Sequence, residues 1–148
     1  ERQPRNAGPN YQVLTKPMSP PDWPEVAAGV ITRGDQFLLA CRKRPEKLNG
    51  MWEFPGGKKE PGETIADCLQ RELWEELGIR VSPPQPFKTV RHPTPSGGIV
   101  LVAMTCTIVS GEPRVLSQEH SQIAWVTAAE FKNYPLLPAD QPVAAALL

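Results

Sequence analysis

The segment from Thr64 to Leu77 restricts the fold most, because it carries a sustained helical repeat of apolar residues. At about 100° per residue, its apolar side chains fall within an arc of roughly 120°, which predicts an amphipathic helix lying on a core. Thr64 can cap this helix, Asp67 favours its positive end and Gly78 can end it. The apolar stripe consists of Ile65, Ala66, Leu69, Leu73 and Leu77.

The same helix carries three glutamates, Glu72, Glu75 and Glu76, at positions i, i+3 and i+4. They fall within an arc of about 100°, which overlaps the edge of the apolar stripe. Like charges at this spacing repel, and the negative end of the helix disfavours anions. A bound cation would neutralise the cluster, and carboxylate oxygens suit Mg²⁺ or Mn²⁺. On spacing alone, a solvated acidic face is the alternative, because Glu-rich helix faces are common.

Apolar, β-rich runs on both sides of the helix predict strands. Their ranges are 26–32, 37–42, 51–54, 87–91, 99–109 and 123–127. A Gly-containing hairpin connection joins the first two, and Pro55-Gly56-Gly57 is expected to end the third. Short helices are predicted at 128–133 and 142–148. This order of elements indicates an α/β fold with helices packed on a mixed sheet.

The chain divides near Trp23 into two regions of different composition. Residues 1–24 contain six of the 18 prolines and have no sustained periodicity. They are predicted to form a Pro-rich N-terminal arm or linker, either an ordinary tail or a tether to another domain. Residues 25–148 have the length of one globular domain. Because the sequence starts at Glu1 rather than Met, we expect a processed or trimmed protein, or a domain cut from a longer one.

The formal net charge is zero, with 16 Lys and Arg against 16 Asp and Glu. Neutrality argues against a protein that wraps duplex DNA and against a polybasic membrane anchor, so we expect no stable nucleic-acid binding and no membrane association. No apolar run approaches the roughly 18 residues that span a bilayer, and no secretion signal is evident, which favours a cytoplasmic protein. Cys41, Cys68 and Cys106 are widely spaced and are expected to be reduced core residues.

The zero net charge conceals two adjacent segments of opposite charge. Residues 42–59 contain six basic and two acidic residues, whereas residues 60–76 contain six acidic residues and one basic residue. A phosphate-attracting loop thus precedes an acidic helix. This arrangement indicates a small polyanion that arrives with a cation.

Residues 57–79 resemble the Nudix box at every fixed position. The box reads Gly, five residues, Glu, seven residues, Arg-Glu, an aliphatic residue, any residue, Glu-Glu, any residue, Gly and an aliphatic residue. The matching residues here are Gly57, Glu63, Arg71, Glu72, Leu73, Glu75, Glu76, Gly78 and Ile79. The segments 51–57 and 134–142 look like those of the MutT branch, which includes 8-oxo-dGTP and CTP pyrophosphohydrolases. The likeness covers about Val26 to Leu148.

This resemblance implies a Nudix α/β/α sandwich with a mixed sheet. It implies Mg²⁺-dependent hydrolysis of a nucleoside triphosphate to the monophosphate and pyrophosphate, with Mn²⁺ as a substitute, in the sanitation of oxidised nucleotides such as 8-oxo-dGTP. The three helix glutamates would be the metal ligands, and Gly57 would add its backbone carbonyl. Arg71 and Glu63 would pair to hold the loop and the helix in register.

Residues outside the box are also implicated by the resemblance. Glu119, six residues before a tryptophan, matches an extra acidic residue that faces the metals in MutT proteins, as a ligand or general base; the alternative is a surface loop residue. Arg42 matches a phosphate-contacting position, and its planar, permanently charged guanidinium suits contact with phosphate. Glu53 should point away from its two aromatic neighbours and reach the site as a secondary ligand. His92 and His120 are expected to be bystanders.

Asp140 lies where MutT proteins selective for 8-oxoguanine often present Asn, although other members carry Asp. An Asn amide donates and accepts, which matches O6 and N7–H of 8-oxoguanine. An ionised Asp only accepts and suits guanine N1–H and N2–H, whereas a protonated Asp can pair with cytosine N3 and N4–H. Purine and cytosine substrates therefore both stay open. The alternative role for Asp140 is a helix N-cap ahead of Pro142.

Two other functions are also compatible with a MutT-like sequence. One is the recognition domain of a DNA repair glycosylase, although such domains generally lack an intact box. The other is a Nudix hydrolase for a different diphosphate such as a nucleotide sugar. No motif outside the box supports this alternative.

Overall fold

The computed structural model describes residues 22–148. They form a mixed sheet, two α-helices and short 3₁₀ segments at Glu46–Leu48, Ala128–Asn133 and Pro138–Asp140. The strands are β1 (Glu25–Arg33), β2 (Gln36–Arg42), β3 (Trp52–Glu53), β4 (Gly56–Lys58), β5 (Arg80–Val81), β6 (Gln85–Thr94), β7 (Gly97–Ser110) and β8 (His120–Thr127). The α-helices are α1 (Ile65–Leu77) and α2 (Gln141–Ala146).

The centre of the sheet is the parallel pair of β1 and β7. On its other edge β7 pairs antiparallel with β6, and further along with β5. β2 pairs with β1 only beside the hairpin turn and then diverges to pair with β3 and β8. Since β3 pairs with β2 and β4 pairs with β1, the chain from Trp52 to Lys58 fills the gap between the diverging strands.

Helix α1 has the two ends that its sequence predicts. The Thr64 side chain accepts a hydrogen bond of 3.0 Å from the Asp67 backbone N–H. At the other end, Gly78 has a φ of 70°, and its N–H bonds to the carbonyls of Leu73 and Trp74. Glycine adopts this left-handed conformation without strain, so the helix stops one residue after Leu77.

Alternation along the strands divides the core between the two faces of the sheet. Ala27, Ile31 and Leu38 face α1, whereas Ala28, Val30 and Leu39 face the side covered by α2 and the 3₁₀ segments. Helix α1 contributes Cys68, Leu69, Leu73 and Leu77, and the other layer contributes Phe131, Ala139, Val143 and Ala144. The predicted α/β/α arrangement with a mixed sheet is therefore confirmed. All three cysteines are buried and free, as expected.

Some elements differ from the sequence prediction. Pro55-Gly56-Gly57 does not simply end a strand, because Gly56–Lys58 forms β4 against β1. The predicted helix at 128–133 is a 3₁₀ segment, and β5 was not predicted. Residues 1–21 of the predicted arm lie outside the described part of the chain, so the division into arm and domain stays a prediction. None of the helices within residues 22–148 is long and apolar enough to cross a bilayer.

Candidate active site

A cavity of about 1280 Å³ opens between α1, the β2–β4 region and the segment before α2. Charged residues from distant parts of the sequence meet there because the diverging strands leave room beside the carboxyl-terminal half of α1. Of the predicted site residues, all except Arg71 and Glu63 line this cavity. The lining members are Arg42, Glu53, Gly57, Glu72, Glu75, Glu76, Glu119 and Asp140.

Arg71 lies beside the cavity and ties the preceding loop to α1. Its Nε and Nη2 atoms donate to the two oxygens of Glu63 at 3.0 and 2.8 Å. Its Nη1 atom donates to Glu72 at 3.1 Å and to Glu75 at 3.2 Å. Hydrogen bonds from Arg71 hold the pKa of Glu63 at about 2, so this carboxylate is charged throughout the physiological range. The predicted Arg71–Glu63 pair is thus present as a two-pronged ion pair.

Gly57 lets the β4 backbone approach the first helix glutamate. A Cβ atom at this position would lie 2.3 Å from the carboxyl carbon of Glu72, so the Glu72 carboxylate would have to move. The Gly57 carbonyl also accepts a weak contact of 3.4 Å from the Cys68 thiol. The glycine of the box therefore allows the Glu72 carboxylate to lie directly against the β4 backbone.

Glu76 is the most perturbed acid of the cavity. Its Oε1 atom is buried and has no hydrogen-bond partner within residues 22–148. Burial raises the pKa of Glu76 to about 9, helped by a hydrogen bond to Glu72 and by repulsion from Glu72, Glu53 and Glu119. Ionising Glu76 without a counter-charge is therefore unfavourable. A cation beside Oε1 of Glu76 would remove this unfavourable free energy of ionisation.

The residues present fit a divalent cation by their chemistry, although they are not gathered around one point. Glu72 and Glu76 supply hard oxygen donors and an unsatisfied buried atom, which suits Mg²⁺ or a similar ion. Glu75 instead has 57% of its side-chain surface exposed and lies against Arg71. Within residues 22–148, no three His, Cys, Asp or Glu side chains are close enough to hold a metal ion as they stand. The ligand set therefore stays a prediction.

Four charged or polar side chains form a second group on the β2, β3 and β8 side. Arg42 Nη1 lies 3.3 Å from Glu53 Oε2 and 3.6 Å from Glu119 Oε1. Glu53 Oε2 is also 2.6 Å from His120 Nε2. The His120 ring is buried against Glu53, and the expectation that it is a bystander stays a prediction. His92 also lines the cavity.

Asp140 occupies another part of the cavity lining. It is only 5% exposed, and its Oδ2 atom accepts a 2.8 Å hydrogen bond from the Phe54 backbone N–H. Burial raises the pKa of Asp140 to about 7, against the lowering effect of that hydrogen bond. The alternative role as a helix N-cap is wrong, because the side chain makes no capping bond to α2.

The geometry agrees with the resemblance carried by the box. The NUDIX domain family matches residues 23–147, which is most of the chain. The chain belongs to the Nudix family. Nudix enzymes hydrolyse phosphoric anhydrides of nucleotide-like substrates and generally use a divalent metal ion.

Individual relatives place the chain in the MutT-like part of the Nudix family. It is 42% identical to a Mycobacterium tuberculosis protein provisionally named 8-oxo-dGTP diphosphatase 2, over 78% of this chain and 82% of the relative. It is 34% identical to the CTP pyrophosphohydrolase of Escherichia coli, over 84% and 90%. Among solved structures, a MutT Nudix hydrolase from Burkholderia pseudomallei superposes with a TM-score of 0.74 at 28% identity, covering 84% of this chain and 98% of that one.

Proposed function

We propose that this Nudix enzyme is a Mg²⁺-dependent nucleoside triphosphate pyrophosphohydrolase that releases a nucleoside monophosphate and pyrophosphate. We propose further that it removes oxidised or modified nucleotides such as 8-oxo-dGTP from the nucleotide pool. The observation that carries this proposal is the orphaned, buried Glu76 carboxyl beside Glu72, in the same cavity as the buried Asp140. One cavity then offers a place for a cation and a place for a base.

The metal would be held by Glu72 and Glu76, with Glu75, Glu119 and the Gly57 carbonyl as the further predicted ligands. When bound, Mg²⁺ supplies charge neutralisation for the polyphosphate and a lowered pKa for a coordinated water. Glu75 is available only when its contact with Arg71 is exchanged for another partner, because the two side chains are 3.2 Å apart.

The remaining charges assist the polyphosphate and the attacking water. Arg42 presents a guanidinium in the cavity, and its fixed positive charge suits a phosphate oxygen. Glu119 is more than half exposed at the cavity rim and is our candidate for the general base or an additional ligand. Arg71 and Glu63 keep the loop and α1 together, so their contribution is to position the glutamates.

Asp140 is the proposed reader of the base. With a pKa of about 7, its carboxyl exchanges between two hydrogen-bonding patterns near neutral pH. The protonated form donates and accepts, which matches both 8-oxoguanine O6/N7–H and cytosine N3/N4–H. The ionised form only accepts, which matches guanine N1–H and N2–H. The protonation state of Asp140 would therefore decide which bases fit.

The main experiment is a substrate panel at fixed Mg²⁺. 8-Oxo-dGTP, dGTP, dCTP and 5-substituted dCTPs are each incubated with the parent, with Glu76→Gln and with Glu112→Gln. Glu112 is an exposed residue 3.4 Å from Arg33, so it provides the same Glu→Gln substitution at a position that does not line the cavity. We expect pyrophosphate from the parent and the Glu112 variant but little from the Glu76 variant. No pyrophosphate from any nucleotide with the parent contradicts the proposal.

A CTP or modified-dCTP pyrophosphohydrolase is the second candidate. It is supported by the raised pKa of Asp140 and by the likeness to the E. coli CTP pyrophosphohydrolase. The ranking of kcat/KM for 8-oxo-dGTP and dCTP decides between the two candidates. Duplex DNA affinity without hydrolysis would instead indicate the recognition domain of a repair glycosylase.

The proposed role of Asp140 in base recognition is tested by the pH dependence of base specificity. The ratio of kcat/KM for dGTP to that for 8-oxo-dGTP should rise by roughly tenfold to 100-fold between pH 6 and pH 8, because Asp140 ionises in that interval. In Asp140→Asn the amide donates and accepts at every pH, so the ratio should be low and flat. A parent ratio that does not change with pH removes Asp140 from base selection.

A further inference from the structure

His120 is a buried polar residue that the reaction proposed above does not use. Its side chain is 2% exposed, and its Nε2 atom lies 2.6 Å from Glu53 Oε2. Its Nδ1 atom is buried and has no hydrogen-bond partner within residues 22–148. Burying an unpartnered ring nitrogen is costly, so a position that needed only packing would favour an apolar side chain.

A β-bulge turns His120 towards Glu53. Cys41 pairs with Gln122, but Arg42, one residue further, pairs with His120, so Ser121 is an extra residue in β8. Directly opposed residues in a sheet point to the same face, and a shift of one residue reverses the face. Without the bulge, Ser121 would oppose Arg42 and His120 would point to the other side of the sheet. The bulge therefore places His120 on the face that carries Arg42.

Glu53 reaches the same face by the ordinary alternation of its strand. Trp52 pairs with Cys41 and joins the core opposite α1, so Glu53 points towards α1 and its glutamates. Repulsion from Glu53 is one reason for the raised pKa of Glu76, which places the two carboxyls in each other's field. Oε2 of Glu53 is held by His120 and Arg42, whereas residues 22–148 supply no donor to Oε1.

We propose that His120 is a positioning residue for the hydrolysis, and this inference rests on the function proposed above. Its Nε2–H donates to Glu53 Oε2 and fixes the carboxylate with Oε1 available to the reacting groups in the cavity. A carboxylate can only accept, so this hydrogen bond requires a ring proton on Nε2, and Nδ1 is the nitrogen without a partner within residues 22–148. Such outer hydrogen bonds orient the groups that act directly.

Two substitutions separate positioning from packing. His120→Gln keeps a side-chain N–H donor that can reach Glu53, whereas His120→Leu keeps apolar bulk and removes the donor. If His120 positions Glu53, kcat should fall by roughly 10- to 100-fold in the Leu variant, KM should change by less than about threefold, and the Gln variant should recover most of kcat. If His120 only packs, the Leu variant should be the more active of the two.

A double-substitution cycle locates the effect at Glu53. In the Glu53→Gln background, His120→Leu should reduce kcat much less than in the parent, because the carboxylate that it holds is already absent. Equal reductions in the two backgrounds would overturn the inference. Ser121→Ala, in the exposed residue next to His120, serves as the control for general disturbance of the bulge.

A metal-free and substrate-free measurement completes the test. The chain has two histidines, so in the His92→Gln variant the histidine ring signals of the ¹⁵N spectrum come from His120 alone. We expect the Nε2–H tautomer in the parent and a changed ring signal after Glu53→Gln. An Nδ1–H tautomer overturns the inference. If the parent hydrolyses no nucleotide, the proposed function fails, and the tautomer still decides whether His120 donates to Glu53; if the parent is active and the Leu variant equals it, only this inference fails.

Discussion

Glu76 and Asp140 are two buried carboxyls in one cavity, and their surroundings differ in kind. Burial is the largest cause of the raised pKa of Glu76, and Glu72, Glu53 and Glu119 add repulsion; within residues 22–148 its Oε1 atom has no hydrogen-bond partner. Asp140 accepts a backbone N–H and has its pKa raised chiefly by burial. Burial is the main cause at both positions, but three carboxylates add to it at Glu76 and only Glu53 adds to it at Asp140, so a cation would relieve more of the penalty at Glu76. We therefore expect the same kind of side chain to favour a bound cation at Glu76 and a proton at Asp140.

The largest effect should come from Glu76→Gln. The amide cannot supply the negative charge that holds a cation, so we expect kcat to fall by roughly 10²- to 10⁴-fold at saturating Mg²⁺. Initial rates of pyrophosphate release, with Glu112→Gln as the matched control, measure the loss. A Glu76 variant that retains more than a tenth of parental activity would show that the orphaned carboxyl is not part of the chemistry.

Asp140→Asn should change stability rather than cation binding. The pKa of Asp140 rises from 3.8 in the unfolded chain to about 7 in the fold, so the parent loses stability as pH rises through this interval. The Asn variant escapes this loss and keeps an oxygen for the Phe54 N–H. Relative to the parent, it should gain up to about 4 kcal/mol in the free energy of unfolding between pH 4 and pH 8. Urea denaturation in EDTA tests this, and an equal difference at both pH values would contradict it.

Mg²⁺ affinity should depend on pH through Glu76. Because its pKa is about 9, the group holds a proton at neutral pH that the metal must displace. Affinity should therefore rise by about tenfold per pH unit between pH 6 and pH 8. Titration calorimetry in two buffers of different ionisation enthalpy counts the released proton. In Glu76→Gln this release should vanish, and a parent that releases no proton would contradict the assignment.

The smallest expected effect is that of Thr64→Ala, at the far end of the helix that carries Glu76. Loss of the cap should cost about 1 kcal/mol in the free energy of unfolding. The change in base specificity with pH should persist, because Asp140 belongs to another element. Thr89→Ala, in an exposed residue of β6, is the control. A large change in specificity would mean that the two carboxyls are coupled through α1.

The sequence predicts the structure best where the signals for an element lie within that element. Helix α1 follows from its 3.6-residue repeat, from Thr64 and from Gly78, all of which are local signals. The Arg71–Glu63 pair also lies within one short segment, where the motif spacing indicates it. The cysteines were predicted correctly for a similar reason, since Cys41 and Cys106 sit in apolar strand segments and Cys68 lies beside the apolar stripe of α1.

Long-range pairing explains what the sequence did not reveal. β4 is a strand because β1 offers it a partner, and a Gly-Gly sequence has no alternation that signals this. His120 was assigned no role because one extra residue in β8 reverses the face of its side chain, and single-residue bulges leave no periodic signal. Asp140 fits a cap by its sequence position, but the Phe54 N–H, 86 residues away, competes successfully for its oxygen.

Arg71 gives the fold a built-in counter-ion. One guanidinium neutralises parts of Glu63, Glu72 and Glu75, so the acidic helix is held in place without a metal. We therefore expect the chain to fold before it meets the proposed divalent ion, so that loading would be a separate, reversible event. Under the proposed metal dependence, occupancy of the site would follow the ion concentration around the protein, and chelation would abolish activity without unfolding the chain.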